Sequence, residues 1–138
     1  MHEHLTVTEP VGELTVLVFE TRPRWAPELK RQFVSDSVRV RACGSWKDVR
    51  DHLAKTDDVL LIVDLAVGAA ETLRFLGREV GNRSARSVVV IAEKRSADLE
   101  WSLREAGVLQ FFTDELSGEE LADFCRRQWR MMGTEING

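Results

Sequence analysis

Asp64 closes the run Val59-Leu60-Leu61-Ile62-Val63, five apolar residues in succession held between the carboxylates of Asp57-Asp58 and Asp64. A run that is apolar on both alternating faces has to be buried on both. It is too short for a core helix and lacks a 3.6-residue period, so it reads as the central strand of a parallel sheet sandwiched between helices. Asp64 then stands at the carboxyl end of that strand, the edge where open parallel sheets collect ligands and chemistry. A second apolar run, Leu14 to Phe19, brings Glu20 and Thr21 to a strand end as well. Asp114 could in principle join Asp64 as an acid/base dyad, but no nucleophile, histidine or binding-loop motif accompanies it.

The remaining chemistry-bearing residues point elsewhere. His2 and His4 could ligate a metal, yet they lie near the terminus with no further ligands held in place. His52 falls on a helix and reads as a surface or boundary residue. Cys43 and Cys125 are isolated in apolar patterns; two such cysteines make neither a disulfide framework nor a zinc site, and they read as small core residues in a reducing cytosol. Gly77 and Gly81 stand alone, so no glycine-rich phosphate loop is present.

A chain of 138 residues with 43% hydrophobic content suits one domain with a single two-sided core. Nineteen basic against 23 acidic residues gives a formal charge of −4, which disfavours nucleic-acid binding across the whole surface and leaves a local basic patch open. No apolar run approaches the roughly 18 residues of a membrane helix, and the N-terminus has no signal-like apolar segment. The expectation is a soluble cytoplasmic protein with no membrane contact.

The elements that must position Asp64 follow from the same patterns. Residues 1–13 have no periodicity and read as a loose tail. Leu14–Phe19 is the first strand, and Pro27 suits the first turn of a helix over about 26–35, with Leu29 and Phe33 four apart. Val38, Val40 and Ala42 alternate with Arg39, Arg41 and Cys43, the half-buried signature of an edge strand. Ser45 and Asp48 open a short helix that buries Trp46, Val49 and Leu53. After the central strand, Ala69, Leu73, Leu76 and Val80 mark a third helix ending at Gly81-Asn82. Val88–Ile91 is a second fully buried strand, and Ser96 is expected to cap a fourth helix carrying Leu99, Leu103 and Ala106 up to Gly107. Val108–Phe112 is the fifth strand. Ser117-Gly118-Glu119-Glu120 is a capping box opening a fifth helix to about Met132, with Leu121, Phe124, Cys125 and Gln128 on its inner stripe. Residues 133–138 read as a second tail. Five strands alternating with five helices, with right-handed crossovers and the second strand at an edge, give a three-layer flavodoxin-like α/β domain over 14–132 with strand order 2-1-3-4-5.

On those elements the chain resembles the response-regulator receiver domain, the CheY-like family. Val16-Leu17-Val18-Phe19-Glu20-Thr21-Arg22-Pro23 falls on that family's first strand and acidic pair, and Asp64-Leu65-Ala66-Val67-Gly68-Ala69-Ala70-Glu71-Thr72-Leu73 on its phospho-acceptor segment, with Asp64 at the acceptor aspartate. Gly68 stands where proline is usual, and Glu71-Thr72 where Asp-Gly is usual. The resemblance implies phosphoryl transfer to a carboxylate, whose charge needs a divalent cation, a lysine and a hydroxyl. Here the acidic pair is Glu20-Thr21, so one carboxylate is gone and magnesium binding is expected to be weak. The hydroxyl position falls on Ile91 and the lysine position on Asp114. Lys94 could reach the site from the end of strand four, but that would not restore the hydroxyl. The aromatic switch position falls on Phe111, which with Ile91 forms an apolar pair expected to keep one static packing.

The readings that follow are three. The favoured one is a non-enzymatic pseudo-receiver, a stand-alone signalling and protein-interaction module without the phosphorylation switch and without a cofactor. The alternatives are a single-domain response regulator phosphorylated on Asp64 with magnesium, bound by Glu20 and Asp64, and a flavodoxin-like nucleotide or cofactor binder. Four tryptophans and no tyrosine stand out. Trp25 and Trp46 fit core or boundary places, whereas Trp101 lies about 200° from Leu99 on the helical wheel and should point outward. With Phe111, Arg126, Arg127, Trp129 and Arg130 it defines an expected face of helix four, strand five and helix five for a protein partner or a second copy.

Overall fold

A computed structural model of the chain describes residues 14–34, 37–56, 58–81 and 87–137; the expected N-terminal tail lies outside the described residues. The strands are Leu14–Phe19 (β1), Val38–Cys43 (β2), Val59–Asp64 (β3), Ser87–Ala92 (β4) and Gln110–Thr113 (β5), and the helices Trp25–Gln32 (α1), Trp46–Lys55 (α2), Ala69–Gly81 (α3), Glu100–Glu105 (α4) and Gly118–Asn137 (α5). All neighbouring strands are parallel, in the order β2-β1-β3-β4-β5. This is the flavodoxin-like arrangement, with β2 and β5 at the edges.

Strand alternation splits the core into two layers. Leu17, Phe19, Leu61, Val63, Val88, Val90 and Phe111 face α2, α3 and α4. Val16, Val18, Leu60, Ile62, Val89 and Ile91 face α1 and α5, against Trp25, Leu29, Leu121 and Cys125. Each fully buried aliphatic side chain contributes about 1.5–3 kcal/mol relative to exposure, so β1, β3 and β4, buried along nearly their whole length, fix the sheet that carries Asp64. In β2 the exposed Arg39 and Arg41 bracket the buried Val40, as an edge strand requires.

Several boundaries move from their sequence-based positions. α1 starts at Trp25 and closes at Phe33, whose N–H bonds Leu29 O; Val34 is left exposed beyond it. Ser96 does not cap α4. It lies inside a 3-10 segment, Lys94–Leu99, and α4 begins only at Glu100 with no side-chain cap. β5 starts at Gln110 because Val108 is used to close α4: its N–H returns to Leu103 O, and Gly107 takes the left-handed φ of 114° that this closure needs. The Ser117/Glu120 capping box is complete, with Glu120 N–H on Ser117 Oγ at 3.0 Å and Ser117 N–H on Glu120 Oε1 at 2.7 Å. α5 runs on to Asn137, past the end expected near Met132. Among the described residues no helix is long and apolar enough to cross a membrane.

Candidate functional site

Asp64 ends β3 and turns directly into a 3-10 turn, Leu65–Val67, where its Oδ1 accepts a hydrogen bond from the Ala66 N–H at 3.0 Å. Burial pushes the Asp64 carboxyl above the ordinary carboxylate value; the Ala66 N–H opposes this, Glu20 and Asp114 add to it, and Arg24 opposes it. Three acids and one guanidinium therefore share a single electrostatic neighbourhood. A groove of about 330 Å³ opens beside Asp64, lined also by Ala66, Ala69, Arg95, Ser96 and Leu99.

Glu20, the candidate metal ligand, is committed to the backbone. Its Oε1 accepts from the Trp25 N–H at 3.0 Å and its Oε2 from the Ala26 N–H at 3.1 Å. Those are the first two amides of α1, whose N-cap Arg24 offers no side-chain acceptor. A carboxylate there satisfies two orphan donors and sits favourably in the helix dipole. Thr21 is exposed on the following bend.

Arg24 is the residue that sequence reasoning missed. Its Nη2 donates to the Asp114 carbonyl oxygen at 2.8 Å, and its guanidinium lies 4.0 Å over the Trp25 ring. It ties the loop after β1 to the loop after β5. The available signal is a cation in the same loop as Glu20, within guanidinium reach of the carboxyl edge. Asp114 is placed by its own N–H on Ala92 O at 2.8 Å, which prolongs the β4–β5 ladder. Lys94 pairs instead with Glu115 at the rim, at 4.0 Å with both side chains exposed.

Ile91 is the register partner of Asp64 and is 1% exposed. Phe111 is the register partner of Val90, 7% exposed, and belongs to the opposite core layer. The expected Ile91–Phe111 pair therefore does not form: the two side chains lie on different faces of the sheet, because residues one apart in register alternate sides.

Gly68 has a φ of 131°, and a Cβ there would collide with the Glu71 carboxylate. Proline, with φ fixed near −65°, cannot occupy this position. The loop is held by Gly68 N–H on Leu65 O at 2.9 Å and by the buried Thr72, whose Oγ1 donates to Gly68 O at 2.7 Å. Among the described residues no three His, Cys, Asp or Glu side chains are grouped as a metal ion would require.

No protein-family model matches the chain, and no curated protein matches it in sequence. Solved structures do match in shape. A response regulator from Thermotoga maritima superposes with a TM-score of 0.72 at 18% identity, over 83% of this chain and 96% of that one. A Francisella response-regulator receiver domain gives 0.73 at 13%, over 86% and 98%. A streptococcal protein described as a redox sensor evolved from two-component response regulators gives 0.76 at 13%, over 90% of this chain and 54% of that one. The fold is the receiver fold.

On the receiver fold the six residues of the expected interaction face separate. Trp101 projects from α4 and is 71% exposed, and Arg127 and Arg130 are exposed on α5. Phe111 is in the core. Arg126 turns toward α1, donating to Gln32 O at 2.9 Å and to Asp123 Oδ1 at 2.8 Å, with its guanidinium 5.2 Å from the centre of the Phe33 ring. Trp129 is half-buried against the α1/α5 core layer. Arg126 and Arg127 are about 100° apart on the helix, so one serves the α1 contact and the other the outer surface. A groove of about 310 Å³, lined by Phe112, Leu116, Glu120, Asp123 and Arg127, runs along the β5–α5 side of that surface.

Proposed function

We propose that the protein is a non-enzymatic signalling module that uses the receiver fold to bind a protein partner or a second copy of itself, without a phosphorylation switch and without a cofactor. The observation that carries this reading is the commitment of Glu20: both oxygens of the one carboxylate left from the family's acidic pair accept amides of α1. A hard cation would have to displace those hydrogen bonds, and Asp64 alone is a poor donor set for magnesium. The buried Ile91 beside Asp64 donates nothing, and Asp114 adds negative charge where the resemblance implies a lysine. Loss of one preorganised donor costs about a hundred- to a thousand-fold in rate. The exposed Trp101, with the Phe112, Leu116 and Arg127 groove, supports a working surface on α4, β5 and α5.

A second reading, phosphorylation of Asp64, is favoured by one observation: its carboxylate is only half-buried and opens onto the groove with Arg95 and Ser96. A redox role has less support. Burial pushes the Cys43 thiol up to about 11 and the Cys125 thiol up to about 12, which keeps both protonated and unreactive.

The test is incubation with acetyl phosphate and magnesium followed by intact mass spectrometry. No phosphoryl addition is expected; a hydroxylamine-labile addition abolished by Asp64→Asn would replace the first reading with the second. For the surface, Trp101→Ala is expected to leave the melting temperature nearly unchanged and to weaken self-association or partner capture by at least about 1 kcal/mol.

A further inference from the structure

A second cluster of charge lies away from Asp64, between α2 and α3. A small recess of about 110 Å³ is lined by Trp46, Arg50, Glu71, Arg74, Phe75 and Arg78. Its aromatic wall is built rather than incidental: Trp46 stacks on Phe75 with ring centroids 4.6 Å apart and 23° between planes, and meets Phe19 edge-on at 4.7 Å. Arg50 is one helical turn beyond Trp46 on α2, and Arg74 and Arg78 are one turn apart on α3, so three arginines line the recess from two helices.

Among the described residues the one acid lining the recess, Glu71, cannot balance them. Glu71 has Oε2 at 3.7 Å from Arg74 Nη2, while its carboxylate packs close over Gly68. Arg50 and Arg78 have no ion-pair or hydrogen-bond partner among the described residues. Like charges lining one recess repel one another, and in a chain of formal charge −4 this concentration of cations runs against the overall sign. Three arginines less one glutamate leave a local charge of +2.

We propose that this recess is a binding site for the terminal phosphoryl group of a small phosphomonoester, or for inorganic phosphate. A phosphoryl group carries about −1.5 to −2 charge at neutral pH, which matches the local +2, and its three oxygens suit guanidinium forks. The recess has room for one tetrahedral oxyanion and not for a whole nucleotide. The substituent of the ester would extend past Trp46 into solvent.

The test is a titration of the full chain with inorganic phosphate and with phenyl phosphate at constant ionic strength, following the Trp46 indole N–H and the Arg50, Arg74 and Arg78 Nε–H resonances. Saturable shifts of these signals are expected with both probes. If the phenyl ester binds more tightly than the free ion, its ring is reading the aromatic wall. The double variant Arg50→Ala/Arg78→Ala changes only exposed side chains, keeps its melting temperature, and is expected to bind at least about tenfold more weakly, as loss of charge-assisted hydrogen bonds predicts. Glu71→Gln removes the competing carboxylate and is expected to tighten binding. The proposal is overturned by shifts that do not saturate, by equal shifts with acetate, by unchanged affinity in the double variant, or by binding of a glutamate-rich peptide where phosphate fails.

Discussion

Two charged regions of this molecule are near mirror images in composition and opposite in how they are satisfied. At the carboxyl edge of the sheet, Asp64 feels two further acids, Glu20 and Asp114, and one guanidinium, Arg24. Between α2 and α3, Arg50, Arg74 and Arg78 line one recess with a single carboxylate, Glu71. At the first, the backbone takes up most of the hydrogen bonding: Glu20 accepts two amides of α1, Asp64 accepts the Ala66 N–H, and Arg24 donates to a carbonyl. Among the described residues the second has only the long Glu71–Arg74 contact. The difference teaches that a charged cluster on a familiar edge can be architectural, while a cluster on an unremarked helix pair retains unspent binding capacity.

Gly68 and Glu71 join the two regions, since Gly68 follows the turn capped by Asp64 and lies beneath the Glu71 carboxylate. The largest effect is therefore expected from Gly68→Ala, which forces a side chain into a left-handed φ and against Glu71. It should cost about 1–3 kcal/mol in urea denaturation; a neutral result would mean that the two regions are not mechanically linked.

Glu20→Ala is expected next, at about 1 kcal/mol, the usual loss when a helix cap is removed. It should also lower the Asp64 pKa, because Glu20 is one of the charges raising it. A carbon-detected carboxylate titration checks the second point. If stability were unchanged, Glu20 would not be a structural cap and the architectural account of this edge would fail.

Arg24→Ala is expected to cost about 0.5–1 kcal/mol through its lost hydrogen bond to Asp114. It should move the Asp64 pKa in the opposite direction, upward, because a cation that favours the carboxylate is gone. Opposite signs for these two variants in the same titration would sharpen the assignment of the shared neighbourhood.

The smallest effect is expected from Asp64→Asn, which keeps an acceptor for the Ala66 N–H. Because the folded chain binds the Asp64 proton more tightly than the unfolded chain does, its contribution to stability is present below the ordinary carboxylate pKa and is lost as pH rises through the raised value. Asparagine should thus stabilise the protein slightly at neutral pH, the gain being small because solvent screens a half-exposed carboxylate. The gain should vanish in acid. Thermal melts across pH test this, and a loss of stability at neutral pH would show that Asp64 has an ionic partner.

The uninterrupted apolar run of β3, the alternation of β2 and the Ser117/Glu120 box already specify a five-stranded parallel sheet, its order and the start of α5, because burial and capping follow local periods that a chain carries whatever its neighbours are. The same patterns put Asp64, Glu20 and Asp114 at strand ends. They do not say that Glu20 would be spent on α1, that Arg24 would cross to a carbonyl 90 residues away, or that Ile91 and Phe111 would fall on opposite sheet faces. Nor do they show Arg50 lining one recess with Arg74 and Arg78. Each of those depends on where a helix begins, on the register between strands or on the packing of two helices, and alternatives one residue or one turn away are almost equal in local energy. Only the packed core, which penalises a misplaced methylene, separates them.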